Sequence, residues 1–197
     1  TGALLAQPPA DMPAQVALSA TPFFPQDELQ CGPAALAMVM GAAGVPITPG
    51  ALSSSVFLPG RGGSLQIEML AAPRRHGLVS TRIQPDTQAL LREVAAGHPV
   101  VVLLNLGLAW LPRWHYAVLV GYEFGPGELI LRSGDQARAR FSFALFERCW
   151  ARGGHWAIAL TRPGAWPATA SGAEALQAAI GFERVARPAQ AVLAYRS

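Results

Sequence analysis

Cys31 and His115 are the two residues whose types and surroundings point to chemistry. Cys31 is followed by Gly32 and Pro33 and then by the apolar run Ala34-Ala35-Leu36-Ala37-Met38-Val39-Met40. Ala, Leu and Met are good helix formers, and proline suits a first turn whose N–H has no partner anyway. The run therefore predicts a helix starting at Cys31. A thiol at that point meets unpaired N–H groups and the positive end of the helix dipole, which predicts a lowered pKa. Such a thiol is a nucleophile in search of a base. His115 opens the β-rich run Trp114-His115-Tyr116-Ala117-Val118-Leu119-Val120-Gly121-Tyr122. The other histidines have poorer contexts: His76 ends a helix beside Gly77, His98 stands in a Gly-x-Pro turn, and His155 lies near the end of the domain. The chemistry indicated is covalent attack by a thiol, assisted by an imidazole.

The elements that must position these groups follow in order. Residues 1–21, rich in Ala, Pro and Gln, read as an arm with a short edge strand at Val16-Ala17-Leu18. The Cys31 helix ends among Gly41 and Gly44, and a short helix spans residues 50–56. The glycine-rich stretch at 58–64 has no Lys-Ser/Thr after it and no clear strand before it, which argues against a phosphate loop and favours a cleft wall. Ser64 is then the expected N-cap of a helix to Arg75, and Asp86 caps a helix over 87–96. Strands are expected at 78–83, 99–106, 116–122 and 128–133, the last two joined by the turn Phe124-Gly125-Pro126-Gly127. A helix over 143–151 and a strand over 155–161 complete an α+β domain with a mostly antiparallel sheet.

Residues 26–38 and 115–122, with Gly97-His98-Pro99-Val100-Val101-Val102 between them, resemble the signature blocks of the bacteriocin-processing (double-glycine leader) cysteine peptidases and their stand-alone relatives. The resemblance covers about residues 22–160. It implies a papain-like fold, with the cysteine on an N-terminal helix and the histidine on the sheet. Cys31 is the implied nucleophile and His115 its proton acceptor. Gln26 matches the glutamine that, with the Cys31 N–H, donates to the oxyanion. The family's orienting acid stands at a strand end. Asp135 is the only Asp or Asn after His115 and is the expected orienting residue, with Ser133, which aligns at the strand end itself, as its substitute. The implied reaction is hydrolysis of a peptide bond in a protein or leader peptide, without cofactor. A Cys-dependent amidase or acyltransferase, and a non-catalytic peptide-binding domain of a repeat-containing scaffold, are the alternatives. Exported relatives imply a periplasmic or lipoprotein location, with membrane anchoring through a removed N-terminal segment; a cytoplasmic protein is the alternative.

Composition limits the remaining classes. The chain has 197 residues, 51% hydrophobic and only 14% charged, which describes a globular domain and excludes a disordered one. All fifteen basic residues are Arg and only Arg74-Arg75 are adjacent, so no basic stripe suggests nucleic acid. No apolar run reaches membrane-spanning length. No histidines have metal-ligand spacing, and Cys149 has no neighbouring cysteine, so zinc is not expected. Cys149, between bulky neighbours, reads as a packing residue. The expected division is an arm over 1–21, a peptidase domain over 22–162, and a linker with a truncated helical segment over 163–197. Residues 182–195 resemble a tetratricopeptide unit and a possible protein-partner surface; a lone unit cannot bury its own face, which implies further repeats downstream.

Overall fold

The computed structural model describes residues 2–25, 30–58, 63–186 and 188–195. Its frame is an antiparallel sheet in the order β4 (Val79–Arg82), β9 (Ala157–Thr161), β5 (Val100–Asn105), β6 (Trp114–Glu123), β7 (Glu128–Ser133), β8 (Gln136–Ser142). The expected edge strand of the arm forms β1 (Gln15–Ala17) and pairs with the last residues of β6, beyond the reach of β5. A short helix, α1 (Gly2–Ala6), precedes it. All six residues of β5 are buried, as a central strand requires.

Strand alternation divides the core. Val101, Leu103, Tyr116 and Val118 face α2 (Cys31–Ala42), which is buried along residues 31–40 and is packed by α3 (Pro49–Val56) and α4 (Gln66–Arg75). Val100, Val102, Leu104, Ala117 and Leu119 face α5 (Thr87–Ala95) and α6 (Phe143–Arg152). A helix enclosed nearly all round needs apolar residues on every side, which explains why α2 shows no polar stripe. The caps of α5 and α6 are made by Asp86, accepting from Ala89 N–H at 3.0 Å, and Ser142, accepting from Leu145 N–H at 3.2 Å. Gly127, at φ +68°, closes the β6–β7 turn with its N–H on the Phe124 carbonyl.

Several expectations change. Ser64 does not cap α4: it belongs to β3 (Gly63–Ser64), which pairs with β2 (Phe57–Leu58), and the N-cap is Leu65 with no side-chain bond. The edge strand β8 was not anticipated, because Arg138 and Arg140 interrupt its apolar pattern; charges on an exposed edge discourage pairing with other chains. The helical tail forms α7 (Gly172–Glu183) and α8 (Pro188–Ala194), which pack Ala178, Ala179, Phe182 and Ala194 against Val79 of β4. Its approach is fixed by Glu93 of α5, which is 0% exposed. Glu93 accepts from Ala168 N–H at 3.1 Å, from Thr169 N–H and Oγ1 at 2.6 Å each, and pairs with His98 at 2.9 Å. Among the described residues no helix is long and apolar enough to cross a membrane.

Candidate active site

Cys31 begins α2, and its sulfur lies against the start of β6, where the Tyr116 backbone N–H reaches it. Gly32 is required there. A Cβ on it would overlap the Ser64 hydroxyl and stand 2.6 Å from Ser64 Cβ, so only glycine lets the β3 segment close over the helix start. The Tyr116 hydroxyl donates to the Ser64 carbonyl at 3.2 Å and ties that segment to β6.

Both Cys31 and Tyr116 line a cleft of about 640 Å³, with Ser64, Leu65, Leu103 and Trp114 on its walls. Arg152, Gly153 and Gly154 also line it. Gly153 approaches β5 so closely that a Cβ would overlap the Leu103 carbonyl oxygen. The sequence had marked residues 58–64 as a cleft wall; Gly63 and Ser64 do line it, while residues 59–62 lie outside the described residues. Trp114, Tyr116 and Arg152 were not foreseen as cleft residues, although the bulky neighbours of His115 were a signal for the first two.

His115 is the second residue of β6, opposite Leu104 of β5. Its Nε2 lies 2.9 Å from the Ser133 hydroxyl, at the end of β7. This contact engages Nε2 of the ring. Asp135, the expected orienting residue, is not brought to the imidazole. Ser133 pairs with Gln136, so Gly134 and Asp135 form a two-residue hairpin turn with Gly134 at φ +58°. That turn leaves Asp135 exposed at the tip, without a hydrogen bond or ion pair among the described residues. The expectation needed Gly134 to fold the chain back toward the strand; the immediate resumption of pairing in β8 prevents it. Gln26 lies outside the described residues, and Gln30 is exposed with no side-chain bond at the helix start.

The electrostatics also differ from the expectation of an acidic thiol. Cys31 is 9% exposed, and burial pushes its thiol up; the N–H groups of Tyr116, Gly32 and Cys31 oppose this without overcoming it. Burial pushes the His115 imidazole down, and the Arg113 charge adds to that. Both directions run against a preformed thiolate–imidazolium pair. His98, His155 and the second cysteine are engaged elsewhere. His98 is held by Glu93 and His155 by Glu147 at 2.8 Å, and Cys149 is buried in α6, with Arg152 Nη2 at 3.5 Å from its sulfur. Among the described residues no three His, Cys, Asp or Glu side chains gather as a metal site.

Comparison with known proteins agrees with this architecture. A family model described as the Peptidase_C39 like family matches residues 18–156. Among solved structures, a Bacillus anthracis protein described as a C39-like peptidase superposes with a TM-score of 0.64 at 19% identity, covering 75% of this chain and 98% of that one. The peptidase domain of Streptococcus ComA, a bi-functional ABC transporter of a quorum-sensing pathway, gives 0.59 at 24% identity, with 72% and 98% covered. A double-glycine-motif protease from an AMS/PCAT transporter, in complex with its leader peptide, gives 0.52 at 22% identity, with 71% and 89% covered. No significant match is found among curated proteins. With its matched segment running from the arm through Trp156 and its helix-borne cysteine packed on an antiparallel sheet, the chain belongs to the Peptidase_C39 like family and is a cysteine peptidase of papain-like fold.

Proposed function

We propose that the protein hydrolyses peptide bonds with Cys31 as nucleophile and His115 as general base and acid. The observation that carries this reading is the placement of the Cys31 thiol at the start of α2, against the Tyr116 N–H, inside a cleft. His115 Nδ1 takes the thiol proton as sulfur bonds to the scissile carbonyl carbon. The carbonyl oxygen becomes an oxyanion and accepts from the Cys31 backbone N–H, a donor with no intrahelical partner at the helix start; a preorganised donor of this kind is typically worth about 3 kcal/mol. On collapse the C–N bond breaks and the imidazolium gives its proton to the leaving amine, leaving a thioester. Water, deprotonated by the same imidazole, then releases the acid and the thiol. Ser133 holds the ring in place throughout as a positioning residue.

The substrate proposed is an extended peptide with small residues before the scissile bond. Two features support this: the sulfur is nearly enclosed, so bulky side chains beside the carbonyl would be excluded, and one structural neighbour, described as a double-glycine-motif protease, holds a leader peptide. The test is cleavage of a matched peptide pair, Gly-Gly against Leu-Leu before the cut, with products identified by mass. Preferential cleavage after Gly-Gly, lost in Cys31→Ala, is expected. Products carrying an added amine in place of water would instead indicate acyl transfer.

A further inference from the structure

Away from the catalytic cleft, α4, β4 and α7 enclose a second cavity of about 470 Å³. Arg74 of α4, Arg82 at the end of β4 and Arg184 just beyond α7 all line it. Three like charges around one space repel, and none makes an ion pair among the described residues. Arg74 donates only to the Ser80 carbonyl, at 3.4 Å, and Arg82 lies 5.4 Å from the centre of the Trp156 ring. Partial desolvation lowers the pKa of Arg74 and of the more exposed Arg82, and the Arg184 charge adds to the effect on Arg74. Glu174, the carboxylate on the cavity wall, is engaged in capping α7: it accepts from Ser171 N–H and Oγ at 2.8 Å each, and from Gln84 at 3.5 Å.

Two polar atoms at the cavity lack any partner. Arg74 Nε and Ser80 Oγ are both buried and unbonded, and Ser80 is only 1% exposed. Buried polar groups in folded proteins are nearly always paired, so atoms of this kind in a cavity wall mark places where a ligand or ordered solvent fits. The chain also makes room for the guanidinium. A Cβ at position 181 would stand 2.5 Å from Arg74 Cζ, so glycine in α7 admits the charge.

We propose that this cavity binds a multiply charged phosphate oxyanion, held by the guanidinium groups of Arg74, Arg82 and Arg184, with Ser80 Oγ as a further donor. Planar guanidinium forks match phosphate oxygens, and three cations favour a ligand with at least two negative charges over a single carboxylate. The apolar wall at Leu70 and Ile180 leaves space for an uncharged body beside the phosphate.

The phosphate belongs either to a free solute or to a lipid headgroup, and the experiment separates them. In one arm, sodium pyrophosphate is titrated calorimetrically into the wild type, Arg82→Gln and Arg184→Gln, against sodium chloride of equal ionic strength. In the other, the same proteins are sedimented with phosphatidylcholine vesicles with or without phosphatidic acid. Both arginines are exposed, so each variant keeps the fold, checked by unchanged Cys31 alkylation. Saturable pyrophosphate binding weakened about tenfold or more in each variant supports a free phosphorylated ligand. Sedimentation that requires phosphatidic acid and both arginines supports the lipid source. Absence of binding in both arms, or binding that neither substitution weakens, overturns the proposal.

Discussion

Replacing Ser133 tests how the imidazole is held. The Ser133 hydroxyl lies 2.9 Å from His115 Nε2 and is the side chain that fixes the ring among the described residues. Ser133→Ala removes one neutral hydrogen bond, worth about 0.5–1.5 kcal/mol, and predicts a loss of roughly 2- to 12-fold in kcat/KM for peptide cleavage. Asp135→Ala removes an exposed side chain at a turn tip and predicts a change below about twofold. Ser133→Asp places a carboxylate against the ring. That carboxylate favours the imidazolium and raises a His115 pKa that burial and Arg113 now hold down. The acid limb of the pH–rate profile should then move to higher pH, because the base is neutral only above its own pKa. The assay is kcat/KM for one peptide across about pH 5–9, where histidine titrates. A large loss in Asp135→Ala with full activity in Ser133→Ala would refute this assignment.

Three further outcomes are expected. Iodoacetamide should alkylate Cys31 in the resting enzyme more slowly at neutral pH than it does free cysteine, with a midpoint above the ordinary thiol value of ~8.5, since burial raises this thiol; a low-pH plateau would show a preformed ion pair instead. Gly32→Ala should lower stability by about 1–3 kcal/mol in urea unfolding, although alanine is the better helix former, because its Cβ meets Ser64; a gain would mean that Ser64 does not close over the helix. Glu93→Ala removes the acceptor of the part-buried N–H groups of Ala168 and Thr169 and should cost about 1.5–3 kcal/mol, with early proteolysis beyond residue 167. In the wild type, burial opposes the Glu93 charge but the bonds from His98, Thr169 and Ala168 prevail, so its pKa is lowered. The stability it contributes is present above the unfolded glutamate value of ~4.3 and is lost as pH falls through the lower folded value; stability independent of pH in that acid range would contradict this.

What the sequence revealed is what local chemistry determines. Pro33 and the Ala-Leu-Met run mark the start of α2, which Cys31 opens as expected. The turn at 124–127 and the apolar runs on either side mark β6 and β7. What it concealed depends on contacts distant along the chain. The raised Cys31 thiol reflects enclosure by β3 and β6, which a helix-start argument omits. Asp135 looked eligible because carboxylates suit the role, but whether a turn returns its residue to a strand end depends on where the next strand begins, and the Arg-studded β8 gave little sign of itself. Glu93 sits in an ordinary amphipathic helix segment, and nothing local shows that its partners lie at residues 168 and 169. The tail's packing on β4 was left open for the same reason.

The central claim is a Cys31 nucleophile activated by His115. The most direct measurement is the rate at which a peptidyl electrophile ending in Gly-Gly forms a covalent adduct, with the modified residue located by peptide mapping. It should be made on the wild type, Cys149→Ala and His115→Ala. The account predicts modification of Cys31, an unchanged rate in Cys149→Ala, and a loss of about 100-fold or more in His115→Ala, the usual scale of general-base assistance. Equal rates in the wild type and His115→Ala, or modification at Cys149, would contradict it.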